Sequence, residues 1–131
     1  MNNEIGQKKI SSFTDLNVWK EGHVLVIAIY QLTKKFPKDE QFGLVNQMRR
    51  AVVSITSNIA EGFSRESFKE KVKFYYISLG SLTEIQNQLI IAKDLGYVTS
   101  EECMETEQHT ITVSKLCNGL IKKSKEFIRN S

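Results

Sequence analysis

The sequence contains a single proline, Pro37, and the long stretches on either side of it have few helix breakers. Proline disfavours helical geometry in the residue before it, so a first helix is predicted to begin at Asp15–Leu16 and to end at Phe36. Thr14 is the predicted N-terminal cap of that helix. With 40% hydrophobic and 25% charged residues in 131, the chain is neither disordered nor loop-rich. These features predict one all-α domain.

The second helix is predicted from apolar residues that recur every three or four positions after Gly43. This spacing places them on one helix face, and Gly62 is predicted to end the helix in a left-handed cap. The residues of that face are Leu44, Met48, Ala51, Val52, Ile55 and Ile59.

The third and fourth helices are each predicted from a capping box, which is Ser or Thr followed three residues later by Glu. Gly96 is the predicted C-terminal cap of the third helix after Leu95, and the fourth helix is predicted to reach about Arg129. The two capping boxes are Ser67 with Glu70, and Thr99 with Glu102.

Short connections between the four predicted helices favour an antiparallel up-down-up-down four-helix bundle. The bundle is expected to occupy residues 14–131, after a flexible N-terminal tail of residues 1–13.

Two features of the sequence favour assembly into an oligomer. The run from Val24 to Tyr30 is apolar all round the predicted helix, and Gly80 lies inside a helix, where glycine costs about 1 kcal/mol relative to alanine. A subunit interface explains both, because large exposed apolar surfaces often mark interfaces. A wide core within one chain is the alternative.

The composition argues against several classes of protein. The two cysteines, Cys103 and Cys117, are too few for a disulfide scaffold. The sequence also has no signal peptide and no apolar run that could span a membrane. We therefore expect a soluble cytoplasmic protein. Glu105 and His109, with Cys103 nearby, do not supply the converging ligands of a metal site. No catalytic motif is present, so we expect no catalytic residues, no metal, no cofactor, no small-molecule substrate and no enzyme activity.

Basic residues cluster near the junction of the second and third helices, although the net charge is only +3. Such cations can contact phosphates of RNA or DNA, and a solvated charged face is the alternative. Five residues are the predicted nucleic-acid contacts: Arg49, Arg65, Lys69, Lys71 and Lys73. The basic end of the fourth helix is explained by the helix dipole alone.

A polar stripe runs along the second helix beside its apolar face. Ser and Asn are poor helix formers, so their presence indicates a hydrogen-bonded network within the bundle or at a subunit joint, and a ligand or RNA contact is the alternative. The predicted members are Arg50, Ser54, Asn58 and Glu61, with Glu84 as a partner for the arginine.

Nearly all of the chain after the tail resembles the four-helix-bundle proteins named after the 23S rRNA intervening sequence. The run Arg49-Arg50-Ala51, followed by Asn58-Ile59-Ala60-Glu61-Gly62-Phe63, is the most specific part of the resemblance, and Thr56 stands where relatives often carry proline. The other matching segments are Asp15-Leu16-x-Val18-Trp19-Lys20, Phe36-Pro37-Lys38, Phe42-Gly43-Leu44, and Gly80-Ser81-Leu82-x-Glu84.

The resemblance implies a small cytosolic bacterial protein that forms a cyclic homo-oligomer, with a pentamer expected. It offers no catalytic residue, and a related branch assists reverse transcriptases. Our expectation is a non-enzymatic ring that binds nucleic acid, with RNA favoured. A structural or protein-partner scaffold, including a reverse-transcriptase accessory factor, is the alternative. The positions that match the family motifs are Arg49, Arg50, Asn58, Glu61 and Arg65.

Overall fold

The computed structural model describes residues 9–130 of the chain, and this part contains four long α-helices and no strand. The prediction of an all-α protein is confirmed. The helices are α1 (Asn17–Thr33), α2 (Leu44–Ser64), α3 (Phe68–Asp94) and α4 (Ser100–Arg129), with short 3-10 turns at Phe13–Asp15 and Lys38–Glu40. Residues 1–8 of the predicted tail lie outside the described residues.

The first helix begins later than predicted, because a separate turn precedes it. Ser12, not Thr14, is the capping residue: its hydroxyl accepts a hydrogen bond from the Thr14 backbone N–H, and the Asp15 carboxylate accepts one from the Ser12 backbone. This box closes the 3-10 turn, and α1 starts two residues after Asp15. The ring of Phe13 then meets Trp19 edge-on, at 5.5 Å between ring centroids.

The end of α1 also differs, since the helix stops at Thr33 rather than Phe36. The Thr33 hydroxyl donates to the Ile29 carbonyl at 2.7 Å, and the Phe36 N–H donates to the Thr33 carbonyl in a final turn. Pro37 follows with φ of −57° and ψ of 149°, and its ring disfavours helical geometry in the residue before it, so the helix does not continue.

The prediction that Gly62 caps α2 is wrong. The helix continues to Ser64, and the extended Arg65 ends it by donating its N–H to the Gly62 carbonyl. Gly62 is needed instead for close packing: a Cβ there would lie 2.7 Å from Tyr75 Cε1 and 2.9 Å from Phe74 Cβ. The glycine therefore lets α3 approach the α2 backbone.

The remaining helix ends follow the sequence pattern closely. Ser67 accepts from the Glu70 N–H, which is one half of the predicted box, whereas Thr99 and Glu102 form both halves. Gly96 has φ of +79° after the end of α3, as a left-handed cap requires.

The core lies between the inner faces of all four helices, with α3 packed on both α2 and α4, and α1 on α2 and α4. Tyr75, Met48 and Leu82 are among the largest side chains that are fully buried there.

The two features that suggested an interface, the apolar run of the first helix and Gly80, are not fully explained by packing within one chain. Val24, Ile27 and Tyr30 expose 53%, 49% and 36% of their surface, and among the described residues no atom beyond the adjoining backbone of the same helix lies within 4 Å of a Cβ built on Gly80. Only part of the apolar run, including Leu25 and Ile29, is buried in the core. An interface at these positions stays a prediction.

Candidate nucleic-acid interface

The start of α3 lies beside the end of α4, and this arrangement joins two groups of cations. The rings of Phe68 and Phe127 stack with centroids 4.7 Å apart, and Lys125 Nζ donates to Tyr76 Oη at 2.6 Å. We call the resulting surface the basic end, and its cations are Arg65, Lys69, Lys71, Lys73, Lys122, Lys123, Lys125 and Arg129. Four acidic residues accompany these eight cations: Glu61, Glu66, Glu70 and Glu126. The basic end therefore has a clear excess of positive charge.

Arg65 is held by contacts within the chain. Its Nη2 donates to Glu61 Oε2 at 2.9 Å, and its guanidinium lies 4.7 Å from the ring centroid of Phe74. These contacts fix the guanidinium against the junction of α2 and α3. Its Nε is buried without a hydrogen-bond partner among the described residues.

Lys71 is also engaged locally. Its Nζ donates to the Phe63 carbonyl at 2.6 Å and lies 5.2 Å and 5.8 Å from the ring centroids of Phe63 and Phe68. Partial burial lowers the pKa of Lys71, because desolvation disfavours its charged form. Lys71 thus connects the end of α2 to the start of α3.

Lys69 and Lys73 are the predicted contacts that remain free to meet a phosphate. Both are exposed, and within residues 9–130 neither side chain makes a hydrogen bond or an ion pair. The same holds for Lys122 and Lys123 on α4. These four lysines supply most of the accessible charge of the basic end.

Arg49 is not brought together with the other predicted contacts. Arg49 lies in α2, sixteen residues before Arg65, which directly follows the helix, and this separation is roughly 24 Å along the helix axis. Its Nε donates to Thr33 Oγ1 at 3.0 Å, and its guanidinium lies 4.5 Å from the ring centroid of Tyr30. Arg49 therefore joins α1 to α2, away from the basic end.

The predicted polar stripe forms a network around Ser54. Asn58 Nδ2 donates to the Ser54 carbonyl at 2.8 Å and to its hydroxyl oxygen at 3.0 Å. The Ser81 hydroxyl of α3 donates to Ser54 Oγ at 3.0 Å. Arg50 and Glu84 line the same open groove, of about 330 Å3, but no hydrogen bond or ion pair joins them.

Glu61 takes no part in this network. Its partner is Arg65, four residues further along the chain, rather than a residue on another helix. Two residues that sequence reasoning missed are more deeply buried on the same side of α3. The Ser78 hydroxyl donates to the Ile55 carbonyl at 2.8 Å, and Gln88 is 3% exposed, with its Oε1 unpartnered among the described residues.

The residues that the sequence analysis considered as metal ligands do not form a cluster in the described part of the chain. His109 Nε2 lies 3.4 Å from Glu21 Oε1 of α1, and Cys103 is buried with its thiol against the Leu89 carbonyl. In the described part of the chain, no three His, Cys, Asp or Glu side chains form a group that could hold a metal ion.

Burial raises the pKa of Cys117 to about 12, so its thiol does not ionise to the thiolate near neutral pH.

No helix within residues 9–130 is both long and apolar enough to cross a membrane.

Sequence reasoning missed the contribution of α4 to the basic end. Its lysines were explained by the helix dipole, and their position beside α3 depends on contacts between residues far apart in the sequence. The two capping boxes offered a signal, since they define helices of similar length joined by a short turn. The end of the fourth helix then returns to the start of the third.

Comparisons with known proteins agree with this fold. A crystal structure of a protein with unknown function from the S23 ribosomal protein family of Bacteroides thetaiotaomicron VPI-5482 is similar, with a TM-score of 0.72 and 21% sequence identity. The match covers 80% of this chain and 98% of that chain, and at this identity it shows the fold alone. No curated protein matches the sequence.

The family model described as 23S rRNA-intervening sequence protein matches residues 14–119. The four cations of the basic end that lie on α4 follow the matched segment. The match includes the junction of α2 and α3, the polar stripe and most of each helix. The chain therefore belongs to the 23S rRNA-intervening sequence protein family.

Proposed function

We propose that the protein is a non-enzymatic nucleic-acid-binding protein, with RNA as its favoured partner, that acts as a homo-oligomeric ring in the cytoplasm. The observation that carries the proposal is a set of exposed lysines of the basic end that make no side-chain hydrogen bond or ion pair within residues 9–130: Lys69, Lys73, Lys122 and Lys123. Each phosphate that such a lysine neutralises releases counterions, so the binding weakens steeply as salt is added.

Ring formation strengthens this function. An antiparallel up-down-up-down order of the helices accounts for the pairing of the start of α3 with the end of α4. If the bundles stand side by side around a closed rotation axis, every subunit presents its basic end on the same side of the ring. Weak sites linked in this way gain avidity when one strand reaches several of them. A pentamer is the proposed subunit number.

The surface available for assembly supports the ring. The exposed apolar residues Val24, Ile27 and Tyr30 follow one side of α1, and Ile77 and Ile91 on α3 expose 50% and 40% of their surface. Water contact at these side chains is unfavourable, and a neighbouring subunit would remove it.

Charge reversal tests the binding proposal. The variant Lys69→Glu/Lys73→Glu/Lys123→Glu changes three exposed lysines of the basic end, and the control Lys34→Glu/Lys38→Glu/Lys93→Glu makes the same charge change elsewhere. Titration of a structured RNA and a DNA duplex at low and at physiological salt measures the affinity. We expect the first variant to lose at least tenfold in affinity and the control to lose little.

Absence of binding by the parent protein at low salt, or equal losses in both variants, contradicts the proposal. The structural or protein-partner scaffold then becomes the better explanation of the exposed apolar surface.

Light scattering tests the ring directly, and a mass of one chain over a wide concentration range contradicts it. Gly80→Leu and Gly119→Leu are matched variants, because both glycines lie in helices and a Cβ added at either position would contact no other helix or side chain within residues 9–130. We expect only Gly80→Leu to reduce assembly. Equal oligomer masses for the two variants would show that Gly80 does not lie in the subunit interface.

A further inference from the structure

Two phenylalanines form an exposed stacked pair at the basic end. Phe68 and Phe127 expose 36% and 49% of their surface, and their ring planes are 12° from parallel with centroids 4.7 Å apart. Each ring covers one face of the other. Within residues 9–130, Phe127 makes no further ring or cation contact, so its second face has no aromatic or cationic partner, and we call this the open face of Phe127.

Cations flank this pair on two sides. A groove of about 640 Å3 borders both rings, and its charged lining residues are Lys69 and Glu66. A second groove, of about 230 Å3, borders the same rings and includes Lys71 and Lys123. The stacked pair therefore lies between Lys69 on one side and Lys71 and Lys123 on the other. None of the three has an acidic partner in the described chain, and Lys71 is bound to the Phe63 carbonyl.

We infer that the basic end binds unpaired, single-stranded nucleic acid, with one base stacked on the open face of Phe127 and the adjoining phosphates beside Lys69 and Lys123. The inference rests on the proposed function and specifies its substrate. A free aromatic face between cations matches a nucleotide, which presents a planar base next to a charged phosphate. The bases of a duplex are stacked inside the helix and do not reach the ring.

An acidic peptide satisfies the charges but not the ring. Its carboxylates would pair with the lysines and leave the open face of Phe127 in water. Every nucleobase has a flat aromatic face, so stacking on Phe127 carries little sequence preference. The predicted ligand is thus an unstructured strand of any sequence rather than a particular site.

The test uses the full chain, a short unstructured RNA strand and the duplex of the same sequence. Phe127→Leu removes the ring and keeps an apolar side chain against Phe68, whereas Phe127→Trp enlarges the ring. Phe42→Leu is the matched control, because Phe42 is 90% exposed and lies far from the basic end. Affinities are measured at low and at physiological salt, and a thermal melt checks that each variant folds.

We expect the parent protein to prefer the single strand. Phe127→Leu should lower affinity for that strand by about 5- to 150-fold, the range for losing one stacked base, and should change duplex affinity little. Phe127→Trp should retain the preference, and its indole fluorescence should be quenched by the single strand more than by the duplex. Phe42→Leu should match the parent.

The possible failures are distinguishable. Salt-dependent binding that is unchanged in Phe127→Leu overturns base stacking and leaves the proposed function standing. If the parent protein binds none of the nucleic acids, both the inference and the proposed function are overturned. A reduced oligomer mass for Phe127→Leu, without a selective loss of single-strand affinity, assigns the phenylalanine pair to a contact between copies and overturns the inference. Tighter binding of an acidic peptide than of the RNA strand does the same.

Discussion

The turn between α3 and α4 and the turn between α2 and α3 lie at opposite ends of α3, and their charged residues make different contacts. At the first, Glu40 Oε2 accepts from Tyr97 Oη at 2.8 Å, its other oxygen accepts from the Leu44 N–H, and Lys35 pairs with Glu102. We call these contacts the carboxylate lock. At the basic end, the ion pair within the described chain is Glu61 with Arg65, while several lysines have no partner.

Packing, rather than ion pairing, holds the basic end together. The backbone of Gly62 lies against Tyr75 and Phe74, and Lys71 Nζ is bound to a carbonyl oxygen. The carboxylate lock fastens two connections with hydrogen bonds to ionised groups, which are stronger than neutral ones. The difference indicates that the lysines of the basic end without a partner in the described chain, such as Lys69 and Lys123, do not stabilise the fold and are available to a partner.

Gly62→Ala is expected to have the largest effect on stability, because its Cβ would collide with the Tyr75 ring and the Phe74 Cβ. Overpacking of this kind costs about 1–3 kcal/mol. Gly119→Ala is the control: in the described part of the chain its Cβ would contact no other helix or side chain, so the helix should gain about 0.5–1 kcal/mol. Urea denaturation measures both, and a Gly62→Ala protein as stable as Gly119→Ala would show that close packing does not hold the basic end.

Glu40→Gln is expected to weaken the carboxylate lock. The resulting loss of stability should be smaller than that of Gly62→Ala and should depend on pH. The Leu44 N–H, followed by the Tyr97 hydroxyl, lowers the pKa of Glu40 below 4.5, and the Glu40 hydrogen bond raises the pKa of Tyr97 above 10. The Glu40 contribution is present above pH 4.5 and is lost as the pH falls through the lowered value. The Tyr97 contribution is present below pH 10 and is lost as the pH rises through the raised value.

Thermal melts across pH check this expectation. The parent should lose stability at both extremes, and Glu40→Gln should be less stable near neutral pH with shallower losses on either side. Asp94→Gln serves as a control, since Asp94 is exposed without a hydrogen bond or ion pair in the described chain. Parallel pH profiles for the parent and Glu40→Gln would mean that the lock adds nothing to stability.

The helices were predictable because their ends are marked by local signals. Gly96 and the pair of Thr99 and Glu102 act within one turn of chain, so the residue types define the geometry. Gly62 was misassigned because a glycine at a left-handed cap and a glycine under a packed ring look the same in sequence. Only the position of Tyr75, on another helix, separates the two roles.

The basic end was partly predictable for the same reason. Lys69 and Lys73 follow the predicted capping residue Ser67 and were predicted to contact nucleic acid. Lys123 and Phe127 join them through packing of α4 on α3, across about fifty residues of sequence. Arg49 was grouped with the junction because it is basic, but its hydrogen bond to Thr33 depends on the placement of α1, which residue type alone does not reveal.

Lys69→Gln/Lys123→Gln is expected to have the smallest effect on stability. Neither lysine has an ionic or hydrogen-bonding partner in the described chain, and substitutions at such surface positions change stability by about 0.5 kcal/mol or less. Removing two like charges from a crowded positive surface would favour the variant slightly, if at all.

Urea denaturation compares the stability of the double variant with that of Lys35→Gln, which breaks the ion pair with Glu102. The measurement is made at low salt, because repulsion between like charges is screened least there. The double variant should match the parent while Lys35→Gln falls below it, and the double variant alone should bind RNA more weakly. If the double variant instead unfolds more readily than Lys35→Gln, the lysines of the basic end stabilise the fold and their charge is not held for a partner.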